Sequence, residues 1–158
     1  MANAKIGSHP SYSYQLVQTL DTNVQLTPSD SGKLFMCVQN GSADVIVKLP
    51  SLSADIAGWN AKFILKTSAG NDFGIVGYNS DATVGDAGTS GENDKIVAYE
   101  YANDNSGTPS ITTTDGADCL YFKATVAEIG NMIEIQTDGT LWYAQAFTRT
   151  AADVDVAN

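Results

Sequence analysis

The sequence predicts an all-β fold, either an antiparallel β-sandwich or a barrel, with a jelly-roll-like arrangement of about nine or ten strands. Three observations support this prediction. Short runs alternate between apolar and polar residues, as strands with one buried face do. Clusters of Gly, Asn, Asp, Ser and Pro separate these runs at the spacing that is typical of such folds. No segment of helical length carries apolar residues at the helical period.

The chain of 158 residues matches one ordinary domain and is long enough to bury a substantial core. Residues 1–13 carry no regular pattern and predict an N-terminal arm, residues 14–148 a single β domain, and residues 149–158 a small, acidic C-terminal tail. The tail is expected to be either loose or docked on a neighbouring molecule. Because residues 1–5 lack a basic segment that leads into an apolar run, we expect no signal peptide.

The first half of the domain predicts two opening strands, at residues 14–20 and 23–27. It then predicts two hairpins, one from residues 33–39 and 43–49 and one from residues 61–67 and 72–78. The Asn40-Gly41 dipeptide favours a two-residue hairpin turn between the strands of the first hairpin. Residues 28–32 are turn formers. Residues 51–58 are too few for a substantial helix and predict a short helical turn or a crossover at the edge of the domain.

The second half predicts an exposed loop followed by further strands. Residues 79–94 are too polar and too rich in turn formers to enter the core. Strands are predicted at 95–102, 110–113 and 118–126, with a turn at Asp115-Gly116 between the last two.

A closing hairpin is the clearest signal in the sequence. The Asp138-Gly139 dipeptide separates two alternating runs, 131–136 and 141–147. A two-residue Asp-Gly turn predicts that Ile135 lies opposite Trp142, which places Trp142 on the core face.

The composition is typical both of β proteins that meet other protein copies over wide areas and of soluble monomeric sandwiches, so by itself it leaves the oligomeric state open. Hydrophobic residues make up 43% of the chain and charged residues only 16%, so much of the exterior is uncharged and polar. The closing hairpin also has a mixed outer face, which contains Met132, Glu134, Leu141 and Tyr143. The low surface charge and this mixed face motivate our prediction of a homotrimer whose interface is built from strand faces rather than helices. A net charge of −10 disfavours nucleic-acid binding, and no apolar run approaches the length of a membrane span, so we expect neither partner.

The sequence offers little that indicates catalysis. His9 is the only histidine and lies in the arm, so we expect no Ser-His-Asp or Cys-His arrangement. Cys37 and Cys119 lie in separate apolar runs and are predicted to be buried free thiols, with a disulfide between them as the alternative. Zinc requires clustered Cys and His ligands, which the chain lacks. We expect no catalytic residue, no metal ligand, no cofactor and no enzymatic activity.

Carboxylates and tryptophans leave two further alternatives open. Most acidic residues lie in loops and are expected to be solvated, although calcium ligation is an alternative, with Asn103-Asp104-Asn105 as the best oxygen cluster. Trp59, Trp142 and Tyr143 could form an aromatic platform for a sugar, but tryptophans in strands more often fill a core.

Two tyrosines near the start of the chain are predicted to bind a partner. Tyr12 and Tyr14 flank the junction between the arm and the domain. Aromatic side chains on a flexible segment are suitable anchors in a protein interface, so we predict partner-binding roles for both.

Three segments resemble a known class of proteins: residues 26–35 (LTPSDSGKLF), residues 46–50 (IVKLP) with 57–64 (AGWNAKFI), and residues 133–143 (IEIQTDGTLWY). They resemble small β structural proteins of tailed bacteriophages, particularly the capsid decoration (cement) proteins and fibre modules of marine and cyanobacterial phages. The resemblance covers roughly residues 14–147, although residues 79–109 match no pattern of this class. It implies a trimer that is seated on a capsid lattice.

The resemblance implies a function and a location, and it leaves alternatives. A non-enzymatic virion protein would bind the major capsid protein on the capsid surface, after assembly in the host cytoplasm. The alternative is a receptor- or glycan-binding module of a phage fibre or tail. A polysaccharide-degrading spike is a third hypothesis and the weakest, because such spikes are usually longer and repetitive.

Overall fold

The computed structural model describes residues 16–39, 42–68, 70–102, 110–150 and 153–157. Single 3-10 turns lie at Pro28–Asp30 and Ala54–Ile56, and the second of these is the short helical turn that the sequence predicted. The strands, in chain order, are β1 (Val17–Leu20), β2 (Val24–Gln25), β3 (Leu34–Val38), β4 (Val45–Lys48), β5 (Asn60–Thr67), β6 (Phe73–Val76), β7 (Ile96–Ala102), β8 (Ser110–Ala117), β9 (Cys119–Phe122), β10 (Met132–Thr137), β11 (Trp142–Thr148) and β12 (Val154–Ala157).

The strands form two open sheets that pack face to face. The seven-stranded sheet has the order β1-β3-β5-β10-β11-β7-β8, and the five-stranded sheet has the order β12-β9-β6-β4-β2. Apolar side chains from both sheets form one main core. The predicted all-β sandwich is therefore confirmed, with more strands than expected and without closure into a barrel.

Strand pairing is mixed rather than antiparallel throughout. Among the described strands, five pairings are parallel and five are antiparallel. The first six strands alternate between the two sheets, so β1, β3 and β5 align in parallel on one side of the core and β2, β4 and β6 on the other. In this half of the molecule the chain winds back and forth between the two sheets and forms no hairpins.

Both hairpins predicted in the first half are therefore wrong. β3 and β4 belong to different sheets, and so do β5 and β6. The physical reason is that a chain arching across the core buries alternate residues just as a hairpin does. Phe35 on β3 pairs with Phe63 on β5, and their rings stack at 5.1 Å between centroids.

The closing hairpin exists, but its predicted two-residue turn is wrong. Thr137 lies opposite Trp142, so the connection has four residues, and Ile135 lies opposite Ala144. The Asp138 Oδ1 atom accepts hydrogen bonds from the backbone N–H groups of Thr140 and Leu141, at 2.8 and 2.9 Å, which stabilises the longer loop. The register differs from the prediction by two residues, so Trp142 stays on the core face.

Two features of the second half also differ from the sequence prediction. The predicted turn at Asp115-Gly116 lies within β8, where the pairing with β7 is irregular and Gly116 has a φ of 75°. A β-bulge explains this, because an extra residue in one strand can be absorbed without reversing the chain. The strand predicted at 118–126 ends at Phe122, and Thr125 has a φ of 61°.

The C-terminal segment contributes a strand to the sandwich. β12 pairs with β9 in antiparallel fashion, so residues 154–157 of the predicted tail are part of the five-stranded sheet. A polar cluster holds this segment. Asp153 is buried and accepts a hydrogen bond from Asn131 Nδ2 at 2.8 Å, while Glu100 accepts one from Thr148 Oγ1 at 2.9 Å and another from the backbone of Val154.

Both tryptophans are core residues. Trp142 is 0% exposed, and its ring meets the edge of Trp59 at 5.3 Å between centroids, with an interplanar angle of 84°. Trp59 Nε1 donates a hydrogen bond to the carbonyl of Thr27, whereas Trp142 Nε1 has no partner among the described residues.

Cys37 and Cys119 are buried free thiols, as predicted. Burial raises the pKa of both, that of Cys119 to about 12.

We expect Trp142→Ala to lower the free energy of unfolding by about 3–5 kcal/mol, because it removes a fully buried large aromatic side chain. Denaturant titration measures this loss. Trp142→Phe is the matched control and should cost less, since it keeps an aromatic ring and removes an unpartnered N–H group. A loss below about 1 kcal/mol for the alanine variant would contradict the assignment of Trp142 to the core.

We expect Glu100 to make stability depend on pH. Burial is the main cause that raises the pKa of Glu100 above its ordinary value of 4.5, and Asp153 and Asp155 raise it further. At pH values below this ordinary pKa the carboxyl group is protonated, and the contribution of Glu100 to stability is fully present. That contribution is lost as the pH rises through the pKa of the folded state.

Glu100→Gln, which is neutral at every pH, tests this expectation. The melting temperature of the variant minus that of the wild type should be larger at pH 7 than at pH 4. Equal differences at the two pH values would show that the charge of Glu100 does not affect folding.

Candidate functional site

Several residues singled out from the sequence lie outside the part of the chain that the structure describes. They are His9, Tyr12, Tyr14 and the Asn103-Asp104-Asn105 cluster. The partner-binding role of the two tyrosines therefore stays a prediction. The two tryptophans are unavailable to a ligand because both are buried, so the predicted alternative of a tryptophan sugar platform is wrong.

The candidate site is the outer face of the seven-stranded sheet. Strand side chains alternate between the core and this face, so the pairing registers align outward-pointing residues in rows across the strands. One row is apolar over five strands, and we call it the apolar band: Met36, Ile64, Met132, Phe147 and Tyr101.

The apolar band is partly open to solvent. Phe147 and Tyr101 are each 39% exposed, and their rings stack at 5.5 Å between centroids with an interplanar angle of 15°. The other three side chains are half-buried. The signal for this band was present in the sequence, because Met132, Ile64 and Phe147 occupy positions that the alternating pattern assigns to solvent. The sequence alone indicates only Met132 as part of an outer face, since it does not show which strands are neighbours.

A groove of about 390 Å³ lies beside the apolar band on the same face. It spans β5, β10, β11 and β7. We call it the polar groove, and its principal side chains are Lys62, Tyr99, Glu134, Gln136, Tyr143 and Gln145. Of the mixed face predicted for the closing hairpin, Glu134 and Tyr143 lie in this groove, whereas Leu141 belongs to the hairpin loop.

Two interactions fix the geometry of the polar groove. Lys62 Nζ lies 2.6 Å from Glu134 Oε1, and both side chains are partly exposed. The Tyr143 hydroxyl donates a hydrogen bond to Asp138 Oδ2 at 3.0 Å, which ties its ring to the hairpin loop. This bond raises the pKa of Tyr143. The pKa of Asp138 lies well below its usual range, chiefly because the Thr140 hydroxyl and the Leu141 N–H donate to it.

Two acidic side chains accept hydrogen bonds from the backbone of the loop at 79–94. Asp81 accepts hydrogen bonds from the N–H groups of Thr89 and Ser90, which lower the pKa of its carboxyl. Asp118 accepts hydrogen bonds from the N–H groups of Gly88 and Asp94. Within the described ranges, no group of three or more His, Cys, Asp or Glu side chains is placed to hold a metal ion. Backbone donors therefore explain these carboxylates without a cation.

No protein-family model matches the chain, and comparisons with curated proteins and with solved structures found no significant similarity. Among the described residues there is no helix long and apolar enough to cross a membrane. The surface of the described residues is therefore the ground on which a function can be proposed.

Proposed function

We propose that the chain is a non-enzymatic structural protein of a tailed-phage virion. In this proposal it is a decoration (cement) protein that assembles as a homotrimer, binds the major capsid protein and stabilises the capsid lattice. The apolar band is the observation that supports an assembly role. The resemblance of residues 26–35, of 46–50 with 57–64, and of 133–143 to phage structural proteins supports the virion as its location.

The apolar band is costly to leave in water. Each Å² of apolar surface removed from water stabilises an assembly by about 25 cal/mol, and contiguous apolar patches on soluble proteins often mark interaction sites. The band runs across five adjacent strands, so it is a continuous strip rather than a set of scattered side chains. Around a three-fold axis, the strip of each copy can pack against the two other copies, so a homotrimer can cover it.

A decoration protein needs many modest contacts rather than one strong site. Symmetry multiplies each contact, and simultaneous engagement of several capsid subunits raises the overall affinity without new interactions. The net charge of −10 favours solubility and disfavours binding to the packaged nucleic acid. These properties fit a protein that attaches to the outside of a particle.

A second candidate function is a receptor- or glycan-binding module of a phage fibre or tail. The polar groove favours it, because its tyrosine and amide side chains suit a sugar ligand. Stoichiometric occupancy of capsid three-fold positions, seen by cryo-electron microscopy, would support the decoration protein. Copies found only on the tail or its fibres would support the alternative.

We expect the chain to sediment as a trimer of about three times its mass of 16.6 kDa at micromolar concentration. Phe147→Glu places a charge in the apolar band and should give monomers, because burying an unpaired charge is costly. Ile129→Glu is the matched control: Ile129 is 70% exposed and lies outside the band, so this variant should remain trimeric. A monomeric wild type would contradict an obligate trimer, and a trimeric Phe147→Glu variant would place the interface elsewhere.

We also expect the N-terminal arm to dock on the capsid. An extended arm can add to an exposed strand edge of a partner, with Tyr12 and Tyr14 as anchors. Deletion of residues 1–12 should leave the melting temperature almost unchanged and abolish co-sedimentation with undecorated particles. If the truncated chain still decorates particles at full occupancy, attachment runs through the domain, with the loop at 79–94 as the next region to test.

A further inference from the structure

We propose that the polar groove binds a neutral oligosaccharide. The proposal does not depend on the virion assignment, because it rests on the side chains of the groove alone. Four features of the groove support it: two partly exposed tyrosine rings, two amides with no hydrogen-bond partner among the described residues, an internally balanced charge, and a volume suited to a small ligand.

The tyrosines provide surfaces on which a sugar ring can stack. Tyr99 on β7 is 39% exposed, and Tyr143 lies diagonally across from it on β11, since Gln145 pairs with Tyr99 and Tyr143 with Val97. The C–H groups of a pyranose pack favourably against an aromatic face. The hydrogen bond from Tyr143 to Asp138 holds one ring in place, so a ligand loses little affinity to ordering it.

The amides provide hydrogen bonds for sugar hydroxyls. Gln136 and Gln145 are exposed, lie on neighbouring strands, and their side chains make no hydrogen bond within the described part of the chain. A side-chain amide combines two N–H donors with a carbonyl acceptor, which matches a hydroxyl group that both donates and accepts. Because these amides bond to no other described residue, binding a sugar exchanges their bonds to water for bonds to the ligand.

The charges of the groove select a neutral ligand. Lys62 and Glu134 neutralise each other at 2.6 Å, so the groove itself carries no net charge. The chain as a whole carries a charge of −10, which repels polyanionic glycans. Lys62 keeps further donors and Glu134 further acceptor positions for hydroxyl groups. An acidic glycan would instead require an unpaired cation in the groove.

The volume of the groove and the number of carboxylates that line it favour binding of a sugar over its hydrolysis. The volume of about 390 Å³ lies near the lower end of the range for small-molecule sites, roughly 300–1,000 Å³. Glycoside hydrolysis ordinarily uses two carboxyl groups on opposite sides of the scissile bond. Among the described residues that line the groove, Glu134 is the one carboxylate, and it is held by Lys62.

Affinity electrophoresis of the full-length chain tests the proposal, with native gels that contain dextran, mannan, galactomannan or the polyanion alginate, together with an array of neutral and acidic glycans. We expect at least one neutral glycan to retain the chain and alginate not to do so. Tyr99→Ala and Gln145→Ala should each weaken the retention at least tenfold. Thr19→Ala, on the same sheet face but outside the groove, is the matched control and should bind as the wild type does.

Three results would overturn the proposal: no binding to any neutral glycan, retention that survives both groove substitutions, or binding that is restricted to acidic glycans. Sedimentation of Tyr99→Ala separates this proposal from the assembly role. If the variant remains trimeric while it loses glycan retention, the groove and the apolar band act independently. If it loses both properties together with its melting transition, the less disruptive Tyr99→Phe decides: near wild-type retention supports stacking on the ring, and loss of retention in this folded variant contradicts it.

Discussion

The antiparallel pairing of β10 with β5 is the interaction on which the rest of the molecule depends. β5 is the last strand that the first half of the chain contributes to the seven-stranded sheet. β10 pairs with it and so brings the closing hairpin into the same sheet. The backbone of Thr137 exchanges hydrogen bonds with Gly58 and Trp59 at the end of this ladder, where Trp59 also meets Trp142. Because both the apolar band and the polar groove cross this junction, neither surface exists until the two halves of the chain have paired.

The sequence predicted which segments are strands better than it predicted which strands pair. Alternation identified most of the strands and placed Trp142 and Ile135 in the core, because burial of every second residue leaves a local pattern. Pairing is a long-range property, and an arch from one sheet to the other has the same pattern as a hairpin. The closing hairpin shows the same limit, since the side chain of Asp138, and not the Asp-Gly dipeptide alone, determined the length of its loop.

The candidate site was predictable only in part for the same reason. Tyr143 and Glu134 could be assigned to one outer face because both belong to a hairpin whose strands are close in sequence. Tyr99 joins them through the parallel pairing of β7 with β11, which no local signal indicates. Gln145 appeared in the sequence as one more polar residue on an exposed strand face. Its position between Glu134 and Tyr99 becomes visible only when four strands are placed side by side.

The division of one sheet face into an apolar band and a polar groove has a consequence for affinity. A shallow, half-open sugar site of this size gives weak binding on its own, because few contacts offset the entropy lost by the ligand. If the band joins three copies, each assembly presents three grooves held in a fixed arrangement. A repetitive glycan can then engage several grooves at once, which raises the effective concentration for each further contact. Assembly through the band and weak binding in the groove are therefore complementary properties of the same sheet, and the first makes the second useful.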